Sequence, residues 1–332
     1  MINIKENNLN ILRLLFAVLV FFAHWNILTS QELLNPLFHL SGFAVDMFFI
    51  VSGFLIFWSF DADQNKKHFY IKRFFRIFPL YAILILLQTL FYILFSDGTL
   101  LQIGKYFVSN IFFLNFLSQS VATTLSGLHV DAINGSLWTL KNEVIFYIVV
   151  PFIFALYKKF GVLFLAVLYS LSVIYMFGVE HFGMTKLLVQ FPSQLRLFMV
   201  GVIFYIFFDK INKQNIYPLL VLSFILILLF SDNSYFKFTL YPFSIGIIVI
   251  FLAYFLKNIQ IKFDFSYSFY ILHFPIIQLG LYFKLISSNP FISFFSLFFI
   301  VLFLSYFSEK YIEKRFIQLG KKIIKRDANV TN

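Results

Sequence analysis

Two ionisable side chains, Arg13 and His24, lie inside the first long apolar stretch of the chain, residues 11–28. A bilayer disfavours such groups by several kcal/mol each, so those that occur there are usually functional. Their spacing corresponds to about three turns of α-helix, which places both on one face, about 16 Å apart along the axis. A neutral imidazole at this depth can accept a proton from a hydroxyl group. The pair therefore indicates acid–base chemistry within a membrane helix.

The second apolar stretch carries an acidic residue, Asp46, and a small pair, Ser52 and Gly53. Asp46 is a candidate catalytic group, although a position near the outer membrane interface would remove most of the cost of its charge. Small residues promote close packing of helices in membrane bundles. We favour that packing role for Ser52 and Gly53, and keep Ser52 as a candidate cofactor contact.

Two arginines, Arg73 and Arg76, come directly before the third apolar stretch. Residues three positions apart are neighbours on a helix surface, so the two guanidinium groups can converge on one anion. Planar, multidentate donors of this kind suit a phosphate group. The ordinary alternative is a pair of cytoplasmic arginines that anchor a helix to anionic lipid headgroups. The charge of the loop alone favours that alternative, whereas the tight spacing favours phosphate binding.

A third group of polar and aromatic residues, 134–147, runs into the fourth apolar stretch and includes Trp138, Glu143 and Tyr147. Trp138 and Tyr147 are also typical of the aromatic belt at a membrane interface. Glu143 is also typical of the negative charge that favours a helix N-terminus. Each alternative explains one residue, but the whole cluster indicates a site.

A later pair, Tyr270 and His273, stands shortly before Pro275. We favour a structural hydrogen-bonded pair beside a proline kink over a catalytic pair. His273 is kept as a candidate contact of the acceptor substrate.

The elements that must position these residues follow from the composition. The chain is 61% hydrophobic and 12% charged, with a mean hydropathy of +0.87, whereas soluble domains are about half apolar and a quarter charged. The sequence predicts an all-α, polytopic transmembrane bundle of about ten spanning helices. The apolar runs lie near 11–28, 43–60, 79–95, 143–158, 161–179, 191–208, 216–231, 238–256, 266–286 and 291–308.

The organisation along the chain predicts one integral-membrane domain, residues 1–320, and a basic cytoplasmic tail, residues 321–332. Residues 96–141 form the longest stretch between spans, and we expect an outer-face region there with a short re-entrant or interfacial helix around residues 106–117. This region is a candidate for acceptor recognition.

The net charge of +11 mostly reflects the positive-inside rule, because the Lys and Arg clusters alternate with the spans as expected if both termini are cytoplasmic. A nucleic-acid partner is therefore not expected. The chain has no Cys, which excludes disulfides, thiolate nucleophiles and cysteine metal sites. We expect no metal cofactor.

Taken in order, these stretches resemble the acyltransferase 3 family of membrane acyltransferases, which modify surface glycans and lipids. Arg13 with His24 resembles the family's Arg-x10-His element, and Trp138-Thr139-Leu140 with Glu143 is similar to its Trp-Ser-Leu-x-x-Glu segment. The resemblance also covers residues 45–54, Arg73-x-x-Arg76 with Pro79, Phe146-Tyr147, Tyr267 to His273 with Pro275, and Glu313. It departs at Ala44, where glycine is usual, and at Thr139, where serine is usual.

This resemblance implies a ten-helix enzyme that moves an acyl group, most simply acetyl, from cytoplasmic acyl-CoA to a hydroxyl group of an exported or surface polysaccharide or glycolipid. His24 would be the base or the acylated residue. Of the other catalytic candidates, Arg13 would hold phosphate or line the path of the pantetheine arm, and Glu143 or Asp46 would orient His24 or bind acceptor hydroxyls. Arg73, Arg76 and Ser52 would contact acetyl-CoA or another short acyl-CoA. The acceptor contacts would be Trp138, Tyr147 and His273.

The implied location is the bacterial inner membrane, with both termini cytoplasmic. The expected partners are the glycan or glycolipid acceptor and membrane lipids; a homodimer and a cell-envelope assembly stay open. Two other functions would also use intramembrane charges: a transporter or flippase of a lipid-linked glycan, and a polytopic glycosyltransferase. The sequence shows neither the repeated halves of many transporters nor the larger outer domain that we would expect of the glycosyltransferase.

Overall fold

The computed structural model describes residues 3–31, 35–259, 261, 263–287 and 289–330, and within them all regular structure is helical. A short π-helical segment, Glu309–Glu313, joins the last two helices. The α-helices are α1 Leu9–Thr29, α2 Asn35–Asp61, α3 Lys66–Phe95, α4 Leu100–Ile111, α5 Leu137–Phe160, α6 Val162–His181, α7 Phe191–Ile206, α8 Lys213–Phe230, α9 Ser234–Thr239, α10 Tyr241–Tyr254, α11 Ser266–Tyr282, α12 Pro290–Ser308 and α13 Lys314–Val330.

Each of the ten predicted apolar runs coincides with a helix. Eight of the helical segments in the described residues are long and apolar enough to cross a membrane. The runs near 238–256 and 266–286 correspond to α10 and α11, which have 14 and 17 residues. The prediction of a polytopic all-α membrane protein is therefore confirmed, although α10 and α11 are not among these eight segments.

Large apolar side chains on the surface are consistent with lipid contact. Only 11% of the apolar window of α8 is buried, and Leu228 is 80% exposed. Water would penalise such a helix heavily, whereas a lipid environment accepts a helix that is apolar on all sides.

The chain forms two compact units. Unit 1 comprises residues 1–16, 42–66 and 142–261, and unit 2 comprises residues 17–41, 67–141 and 262–332. The helix α1 runs through the boundary at residue 16, so its first half belongs to unit 1 and its second half to unit 2.

Unit 1 is held together by unusually close contact between α2 and α7. A Cβ atom added to Gly53 would lie 2.1 Å from the carbonyl oxygen of Phe198, and one added to Gly201 would lie 2.1 Å from that of Ile50. No residue with a side chain fits at either distance, so two glycines let the backbones touch. The preferred interpretation of Gly53, close helix packing, is confirmed.

In unit 2 an aromatic cluster fixes the second half of α1 against α11 and α12. The ring of Phe21 lies 5.9 Å from that of Phe269, and 5.4 Å from each of the rings of Phe294 and Phe298. Buried aromatic pairs at these distances contribute beyond the area they bury. Because His24 follows Phe21 by three positions on the same helix, this cluster also sets the position of the imidazole.

The stretch after α3 contains the predicted short helix, but it begins earlier than expected. Thr99 and Gln102 form a capping box that starts α4 at Leu100. Residues 118–136 lack regular helix, and α5 already begins at Leu137 rather than near residue 143. In this exposed region the hydroxyl of Thr123 donates to Asp97 at 2.7 Å and lowers the pKa of that carboxyl.

The predicted basic tail is part of a helix. The helix α13, Lys314–Val330, continues through the predicted tail boundary at residue 320. Gly320 lies against the ring of Phe75, and Asp327 forms an ion pair with Lys67 at 2.5 Å. The separate tail at residues 321–332 stays a prediction about charge and location.

Candidate functional site

The imidazoles of His24 and His273 meet within unit 2. Nδ1 of His24 lies 2.7 Å from Nε2 of His273, and the ring planes differ by 20°. The ring centroids are 4.9 Å apart. The centroid distance exceeds the N···N distance by about two ring radii, so the two nitrogens lie on the line between the centroids. The rings therefore meet edge to edge in nearly one plane. A hydrogen bond between an N–H group and a ring lone pair requires this arrangement. His273 is fully buried, whereas His24 is partly exposed.

Pro275 in α11 explains how residues 134–135 are attached to the helix that carries His273. Pro275 has no N–H group, so the carbonyl of Ile271, four positions earlier, loses its helical donor. The side-chain amide of Asn134 replaces that donor, with Nδ2 at 3.0 Å from the Ile271 oxygen. The next residue, Gly135, lies so close to the ring of Phe274 that a Cβ atom would be 2.8 Å from it. The sequence Asn-Gly therefore docks onto the proline-interrupted turn that carries His273.

A second hydrogen bond attaches the start of α5 to α11. The hydroxyls of Thr139 and Tyr270 lie 2.8 Å apart, and Thr139 also donates to the carbonyl oxygen of Ser136 at 3.0 Å. The rings of Tyr270 and His273 meet edge to face at 5.8 Å. The predicted hydrogen-bonded pair of Tyr270 and His273 is thus seen as a ring contact, while the side-chain hydrogen bonds join Tyr270 to Thr139 and His273 to His24.

The two arginines of α3, Arg73 and Arg76, make different contacts. Nη2 of Arg76 lies 2.8 Å from Asp264 Oδ2, and Nη1 lies 3.7 Å from Glu313 Oε2. Arg73 lies over the ring of Phe69, with 5.5 Å between the guanidinium carbon and the ring centroid. Arg76 thus holds the first half of α3 to the segments that precede α11 and α13. The predicted convergence of both groups on one phosphate stays a prediction.

Glu143 and Tyr147 form a pair on α5 in unit 1, with the Tyr147 hydroxyl donating to Glu143 Oε1 at 2.5 Å. The alternative that Glu143 is a charge at a helix N-terminus is wrong. The helix begins at Leu137, so its first turn contains no acidic residue, and the dipole effect is confined to that turn.

Asp46 accepts a hydrogen bond from the hydroxyl of Tyr241 at 3.1 Å and interacts electrostatically with Arg196, all within unit 1. Arg196 is 5% exposed, and its Nε lies 2.7 Å from the sulfur of Met176. One guanidinium nitrogen of Arg196, Nη1, is buried without a hydrogen-bond partner. Asp46 is thus placed with a buried counter-charge on α7.

The other candidates are placed as follows. Arg13 is partly buried in the first half of α1, Ser52 is partly buried beside Gly53, and Trp138 lies partly buried in the first turn of α5. Arg13, Ser52, Asp46, Glu143 and Tyr147 belong to unit 1, whereas His24, Arg73, Arg76, Trp138 and His273 belong to unit 2. The catalytic roles of Arg13, Asp46 and Glu143 stay predictions.

Sequence reasoning assigned no role to Tyr241 and Asp264, which contact Asp46 and Arg76, and it placed Asn134 in the 134–147 cluster without finding its contact with Ile271. A usable signal existed for Asn134, because a buried helix with an internal proline needs a donor for the carbonyl that the proline leaves unpaired. Asp264 and Tyr241 lie far along the chain from Arg76 and Asp46, and no local pattern connects them.

Comparison with known proteins places the chain in a family. A family model described as an acyltransferase domain matches residues 6–309. Nodulation protein 10 of Rhizobium leguminosarum bv. viciae is 29% identical over 234 residues, covering 63% of this chain and 62% of that protein. An O-acetyl transferase of Shigella phage Sf6 is 29% identical over 333 aligned positions, covering 94% of this chain and 96% of that protein.

The match thus spans less than two thirds of the nodulation protein and nearly all of the phage protein. No solved structure matches the chain significantly. Because the family model covers most of the chain, this protein belongs to the acyltransferase 3 family of membrane acyltransferases.

Proposed function

We propose that this protein is a membrane O-acyltransferase that transfers a short acyl group, most simply acetyl, from cytoplasmic acyl-CoA to a hydroxyl group of an exported or surface polysaccharide or glycolipid. The similarity to a phage O-acetyl transferase along nearly the whole chain supports an O-linked product. The apolar helices support a reaction within or at a membrane.

The observation that carries the proposal is the contact between His24 and His273. One nitrogen of His24 is engaged by His273, so the other can face a substrate. In the reaction, Nε2 of His24 accepts the proton of the acceptor hydroxyl while that oxygen forms a bond to the thioester carbonyl carbon. The carbon–sulfur bond then breaks, and the departing thiolate of coenzyme A takes the proton from His24. The products are an ester and free coenzyme A.

The acyl donor requires a cationic contact for its phosphates, and α3 offers one. Arg76 is engaged by Asp264 and Glu313. We assign the phosphate contact to the paired guanidinium groups of Arg73 and Arg76, which lie three positions apart on α3, with Arg76 also holding this helix to Asp264 and Glu313. A planar guanidinium group binds phosphate with paired hydrogen bonds.

The proposed location is the bacterial inner membrane with both termini cytoplasmic. The Lys and Arg clusters at residues 66–76 and 310–326 support this orientation, since positive charge is enriched in short cytoplasmic segments. It places Arg73 on the side where acyl-CoA is made and leaves the acceptor on the far side.

The test uses membranes that contain the full chain, radiolabelled acetyl-CoA and a surface glycan preparation as acceptor. We expect label in an ester that mild alkali releases, and loss of that label in His24→Ala while membrane insertion is retained. The exposed His181→Ala serves as the matched control and should keep activity. Retained acylation in His24→Ala would remove the proposed base, and movement of unlabelled glycan across the membrane would instead support a transporter.

The donor assignment has a separate test. Arg73→Ala should raise KM for acetyl-CoA about tenfold or more, because a charge-assisted contact is lost, and should leave KM for the glycan unchanged. Lys67→Ala, on the same helix with an exposed ion pair, is the control. Equal losses for both substrates in Arg73→Ala would indicate misfolding and contradict the donor role.

A further inference from the structure

The hydrogen bonds around His273 determine which nitrogen of each imidazole carries a proton. Nδ1 of His273 lies 3.2 Å from the carbonyl oxygen of Phe269, one helical turn earlier. A carbonyl oxygen only accepts hydrogen bonds, so Nδ1 of His273 is the protonated nitrogen. A neutral imidazole has one N–H group and one lone-pair nitrogen. Nε2 of His273 is therefore an acceptor.

The direction of the next hydrogen bond follows from this assignment. Since Nε2 of His273 has a lone pair, the proton between the two rings belongs to Nδ1 of His24, 2.7 Å away. Nε2 of His24 is then left with its lone pair. Both rings are neutral in this arrangement, as the apolar surroundings of the fully buried His273 require.

We propose that His273 is a positioning residue that holds His24 in the tautomer with a proton on Nδ1, so that Nε2 of His24 is the base for acyl transfer. This inference rests on the proposed function, and it assigns a role to His273 other than binding the acceptor. When Nε2 of His24 takes the acceptor's proton, the Nδ1–H bond to His273 stabilises the positive charge that forms. The neutral imidazole of His273 thus orients His24 as a carboxylate orients the catalytic histidine in serine-hydrolase triads.

The surrounding residues are arranged to keep His273 in place. Its ring contacts Phe21 at 6.2 Å and Tyr270 at 5.8 Å between centroids. Phe274 meets the ring of His24 edge on at 4.9 Å. Among the described contacts of the pair, Tyr270 supplies the other titratable group, and its hydroxyl is bound to Thr139.

The first test reads the tautomer without any substrate. The full-length protein is labelled with ¹⁵N-histidine in lipid bilayers, and solid-state NMR identifies the His24 signals as those missing in His24→Ala. We expect a protonated Nδ1 and an unprotonated Nε2 for His24 in the unmodified protein. A protonated Nε2 would overturn the inference, whatever the enzyme's substrate. The exposed His181→Gln should leave the His24 signals unchanged.

The second test separates positioning from packing. Gln can place its side-chain oxygen near the site of Nε2 of His273, so His273→Gln keeps an acceptor, whereas His273→Phe fills the space without one. We expect His273→Phe to lower kcat about 100-fold with little change in KM and to give a mixed His24 tautomer. His273→Gln should retain most of kcat and the original tautomer. Equal losses of kcat in both variants, or an unchanged tautomer in His273→Phe, would contradict the proposal.

The two tests also separate the inference from the function beneath it. If the unmodified protein transfers no acyl group to any glycan tested, the proposed function fails, yet the NMR spectrum still decides the tautomer. If acyl transfer occurs and the spectrum shows Nε2 of His24 protonated, the function stands and the role of His273 fails.

Discussion

The polar clusters of the two units differ in how their groups are satisfied. In unit 2, Nδ1 of His24 lies 2.7 Å from Nε2 of His273, and the proposed tautomer leaves Nε2 of His24 as a proton acceptor. In unit 1, Asp46 has a hydroxyl donor in Tyr241 and an opposite charge in Arg196. A buried charge opposite its counter-charge is a feature of structure as often as of chemistry. The two clusters therefore predict different responses to substitution: a loss of rate for the histidines of unit 2 and a loss of stability for Asp46 of unit 1.

The largest expected effect is on kcat, and it tests whether His24 and His273 act together. His24→Ala should lower kcat by about 10²–10⁴-fold, since a general base is lost. Adding His273→Phe should cause no further fall, because a residue that acts only through His24 has nothing left to position. Rates of labelled acetyl transfer in the single and double variants measure this. A further tenfold fall in the double variant would show that His273 acts separately.

Substitution in the Asp46 and Arg196 cluster of unit 1 should lower the stability of the protein more than its rate of acyl transfer. Asp46→Asn leaves Arg196 buried without its counter-charge, which we expect to lower the free energy of unfolding by about 3–5 kcal/mol. The kcat of the folded fraction should fall less than tenfold. Thermal unfolding in detergent, together with rates normalised to folded protein, checks this. A kcat loss as large as that of His24→Ala would place Asp46 in the chemistry and remove the contrast between the clusters.

The close helix contact in unit 1 gives a smaller effect with a matched control on the same helix. Gly53→Ala forces a Cβ atom against the backbone of Phe198 and should destabilise the protein by about 1–3 kcal/mol through overpacking. Gly42 has open space at the same atom, so Gly42→Ala should be neutral or stabilising by up to about 1 kcal/mol. The difference in midpoint temperature between the two variants measures the contact. Equal stability would mean that α2 and α7 can separate at little cost.

The smallest expected effect concerns the hydrogen bond that attaches α5 to α11 in unit 2. Thr139→Val removes the hydroxyl bound to Tyr270 and should cost about 1 kcal/mol of stability. Thr139→Ser keeps that hydroxyl and should behave like the unmodified protein. Thermal unfolding of both variants is the measurement. If Thr139→Ser loses as much as Thr139→Val, the methyl group rather than the hydrogen bond stabilises the contact.

Much of the fold could be predicted from local sequence. Every apolar run became a helix, because a backbone in lipid must satisfy its polar groups within the segment. Helix ends were less predictable. The start of α5 was missed by six residues, since polar residues at its first turns hid a helix that tertiary contacts support. The start of α4 depends on the capping box of Thr99 and Gln102.

The sequence by itself determined the helical membrane class, the candidate residues and their order along the chain. Only the tertiary structure decided their partners. His24 meets a histidine 249 positions away, and Arg76 meets a carboxylate 188 positions away. Composition and periodicity report on neighbours along one helix, whereas hydrogen-bond direction depends on which donor and acceptor atoms the packing of separate helices brings within reach.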